Sequence, residues 1–147
     1  MKRLVHLMLI SMVIAAFFGS QIALATVPKI IIDSDYNTLG DDGQLVVMAA
    51  QLQAEGKLQV LGISVVSGNL WLKQGIAEAL KSVERLGVEN EIGIYQGANY
   101  ALSHPFETIK KELALHAQGH GYLGAWKYPE PLTDKDLKAP PDGFATH

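Results

Sequence analysis

Four aspartates fall within one short stretch: Asp33 and Asp35, one residue apart, and the adjacent Asp41 and Asp42. Brought together, four carboxylates repel, and each is pushed toward its protonated form unless a cation compensates them. The chain has no cysteine, so a metal here must be held by oxygen or by histidine. A hard ion suits such ligands, and Ca²⁺ accepts a mixed set of carboxylates, carbonyls and waters more readily than Mg²⁺. Water on such an ion is more acidic than bulk water, so a neighbouring carboxylate can take its proton and yield a nucleophile near neutral pH. Taken singly, each pair has a plainer reading: Asp41 or Asp42 caps a helix, and Asp33-Ser34-Asp35 is a solvated turn. The two pairs together point to an ion.

The elements that must position these residues can be read around them. Lys29-Ile30-Ile31-Ile32-Asp33 is a short β-branched run, the pattern of a strand buried on both faces of a parallel sheet, and it ends in aspartate. From Asp41 to Ala54, Leu45, Val46, Met48, Ala49 and Leu52 recur at helical spacing, with Gly56 as the stop. Leu58 to Val66 reads as a second strand, closed by Ser67-Gly68-Asn69. Leu70 to Leu86 is an amphipathic helix with Leu72, Ile76, Ala79, Leu80 and Val83 on one face and Gly87 after it. Glu91 to Tyr95 gives a third strand. Strand, helix, strand, helix, strand is half of an open, mostly parallel, doubly wound α/β sheet of Rossmann-like type. In such sheets ligands bind at the carboxyl ends of the strands, where Asp33, Asp35 and Asn69 stand.

Past Gly97 only Phe106 to His116 keeps a helical pattern, and Gly119 to His147 is rich in Pro, Gly and Asp without a periodic core face. A structureless tail of that length is unusual inside a compact domain, and three parallel strands leave a sheet edge bare. The expectation is a chain that stops before its fold does.

The first residues point to a compartment. Lys2 and Arg3 precede an apolar run from Leu4 to Phe18, and Ala23-Leu24-Ala25 has the small-x-small form of a signal-peptidase site. The run is short of the ~20 residues that a membrane span needs. The reading is a signal peptide over residues 1–25, with export to the periplasm or beyond and no membrane association after cleavage. Removing those 25 of 147 residues leaves 122, one domain, and shifts the formal charge from −3 to −5 because Lys2 and Arg3 leave with them. That acidity, without a basic run, argues against nucleic acid as a partner.

IIIDSDYNTLGDDGQLV followed by LGISVVSGN resembles the N-terminal signature of the inosine-uridine-preferring nucleoside hydrolases. IGIYQGANYAL is similar to that family's third strand, and His120-Gly121-Tyr122-Leu123-Gly124 to its mobile H-G-x-x-G loop. The resemblance runs from Lys29 to about Ala125 and makes residues 26–147 the N-terminal part of such a domain. It implies Ca²⁺-dependent hydrolysis of the N-glycosidic bond of a small-molecule nucleoside. Within it, Asp35 matches the metal ligand that also serves as general base, and Asp42 a bidentate calcium ligand. Asp41 matches the carboxylate that holds the ribose hydroxyls, Asn69 a contact in the sugar pocket, and Asp33 a support behind the ligands. His120 takes the place of a group over the leaving base, where the residue alone, flanked by glycine, reads equally as solvent-exposed. Homo-oligomers are a further implication.

Two departures stand out. Tyr36-Asn37-Thr38-Leu39-Gly40 puts five residues between the aspartate pairs, where most members have three. Family enzymes also run to roughly twice this length, as larger α/β domains do, and draw further ligands from a C-terminal half. The chain alone is therefore expected to be inactive. His104, His116 and His147 lack metal-ligand spacing and read as surface. Tyr122, Trp126 and Tyr128 read as packing for the loop rather than a base-stacking wall, and Ser67 has no adjacent His or Lys to activate it.

Two other readings remain. A haloacid dehalogenase-type phosphatase also ends its first strand in D-x-D, but it wants Thr or Val two residues after the second Asp, where Asn37 stands, and it leaves Asp41-Asp42 without a role. A non-catalytic exported calcium- or ribose-binding remnant is the second.

Overall fold

The strand over Lys29–Ser34 (β1) pairs in parallel with Gln59–Val65 (β2), which pairs in parallel with Ile94–Gln96 (β3), giving a sheet of order β1-β2-β3. The computed structural model describes residues 26–100 and 124–146, and between them Leu102, Ser103, Glu107, Lys110, Lys111 and Ala114. The α/β class, the parallel pairing and the strand-helix alternation are those expected from the sequence. Among the described residues no helix is long and apolar enough to cross a membrane.

Two helices make the crossovers, Asp41–Ala54 (α1) and Leu72–Leu86 (α2). Each connection moves the chain one strand along in the same direction, and right-handed crossovers that advance one way lie on one face of a sheet. α1 and α2 accordingly pack against each other and against β2. The core beneath them is Ile32, Val60, Ile63 and Val65 from the strands, Val46 and Ala49 from α1, and Leu72, Ala79 and Val83 from α2. These described residues form the half of a doubly wound sheet that winds one way. The opposite face carries Ile31, Leu61 and Tyr95, all exposed, so β1 is buried on one face and not on both as its β-branched run suggests.

Two further details differ from the sequence expectation. The helical spacing puts Leu45 and Met48 on the buried face of α1, yet both are exposed, and Gly43, Val46, Ala49 and Ala50 are buried instead. This helix is apolar nearly all round, so periodicity alone does not select a face; the small residues do, because they allow close approach. A Cβ on Gly43 would collide with the Thr38 carbonyl.

The third strand is also later than Glu91 to Tyr95. α2 ends on Gly87, which at φ 68° adopts the left-handed conformation that suits glycine. Glu91 and Ile92 then donate their N–H groups to the Val88 carbonyl in a turn, so ladder pairing begins only at Ile94, opposite Ile63. The tail behaves as expected of a segment without a core face, with two short 3₁₀ turns at Gly124–Lys127 and Asp134–Asp136.

Candidate active site

Asp35 is the first residue past β1, and Gly68-Asn69 lies just past β2, so both stand at the carboxyl edge of the sheet. Asp35 Oδ2 accepts the backbone N–H of Asn69 at 2.8 Å. Asp42, in the first turn of α1, accepts two bonds. The Ser34 hydroxyl donates to its Oδ1 at 2.6 Å, and the Asn69 side-chain amide donates to its Oδ2 at 3.0 Å. One asparagine thus holds an oxygen of each carboxylate, one through its backbone and one through its side chain. Gly68 permits this approach, because any Cβ there would overlap the side chain of Asp35.

The carboxylates sense each other. Burial raises the pKa of Asp35 above the usual value; the Asn69 N–H opposes this, and the charges of Asp42 and then Asp41 raise it further. Asp41 itself is exposed at the start of α1. Asp33 is exposed too, still within β1 opposite Ser64, and a two-residue step along a strand is about 6–7 Å. Among the described residues no three of His, Cys, Asp or Glu gather in a group that could hold a metal. The convergence is therefore of a pair, Asp35 with Asp42, rather than of four aspartates. His120 and Tyr122 lie outside the described residues.

Three contributors were not picked out from the sequence. Ser34 is buried between the two aspartates, and the alternation of a strand gives the signal: the residue between two outward carboxylates faces inward, and a buried hydroxyl at a strand end needs a partner. Gly68 reads as a turn residue, and its function is close approach. Glu130, from the tail, accepts from Asn99 Nδ2 at 2.6 Å and from the Tyr100 hydroxyl at 2.7 Å, tying the tail to the end of β3.

Ser67 is occupied structurally. Its hydroxyl accepts the Leu72 N–H at 2.9 Å, capping α2, and lies 3.1 Å from Asn99 Oδ1, to which it donates. Trp126 packs edge-on against Trp71 with ring centroids 4.7 Å apart, and the Trp71 indole donates to the Tyr128 carbonyl. Trp71 and Tyr128 border a cavity of about 250 Å³ next to Leu70, where the Gln74 side chain is taken up by both backbone groups of Lys138 that it meets.

The phosphatase alternative leaves Asp42 and Asn69 idle, yet these two make the contacts that define the site. A family model described as inosine-uridine preferring nucleoside hydrolase matches residues 30–143, which takes in the aspartate pairs, Asn69 and the tail. With the parallel sheet and the Asp35-Asn69-Asp42 junction at its carboxyl edge, the chain belongs to the inosine-uridine preferring nucleoside hydrolase family.

Proposed function

We propose that this chain carries the cation-binding and water-activating side of a site that hydrolyses the N-glycosidic bond of nucleosides with Ca²⁺, giving ribose and free base. The observation that carries the reading is the junction at Asn69, which brings Asp35 and Asp42 together although burial, and then the charge of Asp42, raise the pKa of Asp35. A pair of oxygen donors under that repulsion fits a hard cation. When bound, such an ion supplies water of lowered pKa.

The chain's own residues do the rest. Asp35 is the base: its raised pKa brings it closer to neutrality, where a carboxylate accepts a proton more effectively. The Asn69 N–H on Oδ2 fixes the carboxylate's orientation and leaves Oδ1 for the incoming proton. Asp41, exposed beside the pair, is placed to receive ribose hydroxyls. Rupture of the bond passes through an oxocarbenium-like state, and anionic side chains beside the sugar stabilise its positive charge. His120 is assigned to the leaving base, and Asp33 to support behind the ligands. Export follows from the Lys2-Arg3 segment, the apolar run and Ala23-Leu24-Ala25.

By itself the chain is inactive in this proposal. Ca²⁺ takes about 6–8 oxygen ligands, and the described residues bring together one carboxylate pair.

Calorimetric titration with Ca²⁺, alongside a reducing-sugar assay on inosine and uridine, tests both statements. The expectation is weak Ca²⁺ binding, on the order of millimolar, abolished in Asp35→Asn and Asp42→Asn, with no ribose released. A chain that ignores Ca²⁺ removes the metal reading, and ribose release at enzymic rates removes the inactivity.

A further inference from the structure

The five-residue loop between the aspartate pairs is held from beneath by hydroxyl groups. Tyr36, directly after Asp35, is 1% exposed and among the largest fully buried side chains. Its side chain lines the same cleft as Ser82 and Thr38. Thr38 donates to the Glu78 carboxylate, and its Oγ1 lies 3.4 Å from Ser82 Oγ. Glu78 and Ser82 both belong to α2, so the loop is fastened to the second helix from below.

The same loop carries α1. The Asn37 carbonyl accepts the Gly40 N–H at 3.1 Å and the Gly43 N–H at 3.3 Å, and Gly43 sits against the Thr38 carbonyl with no room for a side chain. Asp35 stands at one end of this clamp and Asp42 at the other. Alternation turns Tyr36 inward and Asp35 outward, so the depth at which the phenol is bound sets where the Asp35 carboxylate stands. A cleft of about 130 Å³ lined by Tyr36, Thr38, Gly43, Val47, Ser82 and Arg85 lies alongside and gives a loosened loop space to move into.

We propose that Tyr36 and Thr38 are positioning residues: the Thr38 hydroxyl, bound to Glu78 and beside Ser82 of α2, and the buried Tyr36 phenol next to it set the spacing between Asp35 and Asp42 for the cation. The proposal rests on the reading of that pair as a cation site. Neither residue touches the ion; each acts through the backbone that carries the carboxylates.

The test is calorimetric titration of the purified chain with Ca²⁺ for the parent, Thr38→Val, Thr38→Ser and Tyr36→Phe, with circular dichroism to confirm the fold. Thr38→Val keeps the shape and loses the hydroxyl, and it should weaken Ca²⁺ binding about tenfold, as loss of groups supporting metal ligands does. Tyr36→Phe should weaken it in the same direction, and Thr38→Ser, which restores the hydroxyl, should return binding to within about twofold of the parent. A role in packing alone would instead make Thr38→Ser, the smaller side chain, worse than Thr38→Val, and that order overturns the proposal. So do parental affinities in both Thr38→Val and Tyr36→Phe. If Tyr36→Phe does not fold, the two Thr38 variants decide by themselves. A parent chain that binds no Ca²⁺ brings down the cation reading and this proposal together, whereas binding that is indifferent to the hydroxyls brings down this proposal only.

Discussion

Asp35 is more acidic in the unfolded chain than in the folded one, because folding buries it and places the charges of Asp42 and Asp41 nearby. A carboxyl whose folded pKa is raised binds its proton more tightly in the native state, so its contribution is most favourable below the unfolded value of 3.8 and is lost as pH rises through the folded value. Metal-free chain should therefore lose stability from this group as pH is raised above the unfolded value of 3.8 and through the higher folded one. Asp35→Asn keeps an oxygen for the Asn69 N–H and removes the charge. Its melting temperature in chelator should exceed the parent's at neutral pH, with the difference closing toward acid; thermal unfolding across that range checks this. Ser34→Ala removes the 2.6 Å bond to Asp42 and should cost roughly 1.5–3 kcal/mol in urea denaturation, the scale of a hydrogen bond to a charged acceptor. An unchanged midpoint would mean that water replaces the serine without loss. At this scale the sequence singled out Asp35, Asp42 and Asn69 as candidates, since carboxylates and a post-strand asparagine stand out by type, and the structure brings these three into contact. The sequence did not reveal that Asn69 joins the two carboxylates, because that contact spans 34 and 27 residues of chain.

α2 is the element on which the rest is hung. Its inner face packs on the sheet with Leu72, Ala79 and Val83, and its outer, polar side holds the tail. Lys73 Nζ donates to the Leu132 carbonyl, Gln74 exchanges two bonds with the backbone of Lys138, and Arg85 pairs with Asp142. Arg85 holds the Asp142 carboxyl down at about 2, below its ordinary 3.8. A depressed carboxyl contributes stability above its unfolded value and loses it as pH falls toward the folded one, here from 3.8 toward about 2. Asp142→Asn should release the end of the tail at neutral pH, seen as faster proteolysis near Gly143, and the parent should converge on the variant's cleavage rate in acid. Equal protease sensitivity at neutral pH would show that the ion pair does not anchor the tail. The amphipathic pattern made the inner face of α2 legible, whereas the tail's path was not, because it is fixed by single polar contacts that have no period.

On the scale of the molecule, the uncovered face of the sheet is the outstanding feature. Ile31 is 69%, Leu61 45% and Tyr95 60% exposed there. Exposed apolar side chains on a sheet face, beside strand edges that are unpaired among the described residues, favour association. The purified chain should bind a hydrophobic dye such as ANS and self-associate with rising concentration in sedimentation velocity. Ile31→Thr with Leu61→Thr, which keeps strand propensity and removes apolar area, should reduce both. A parent that sediments as a dye-free monomer at all concentrations contradicts this account of the face.

The sequence by itself determined the α/β class of this protein and its family. β-Branched runs and helical periodicity are local signals, and a motif such as D-x-D followed by D-D and V-S-G-N carries its chemistry in residue type and spacing. Tertiary structure alone decided which face of α1 is buried, where β3 begins, and that Asp35 and Asp42 meet through Asn69 while Asp33 remains exposed within its strand. Those outcomes depend on close approach at Gly43 and Gly68 and on pairing between distant segments, and neither steric fit nor long-range register is written in any local stretch of residues.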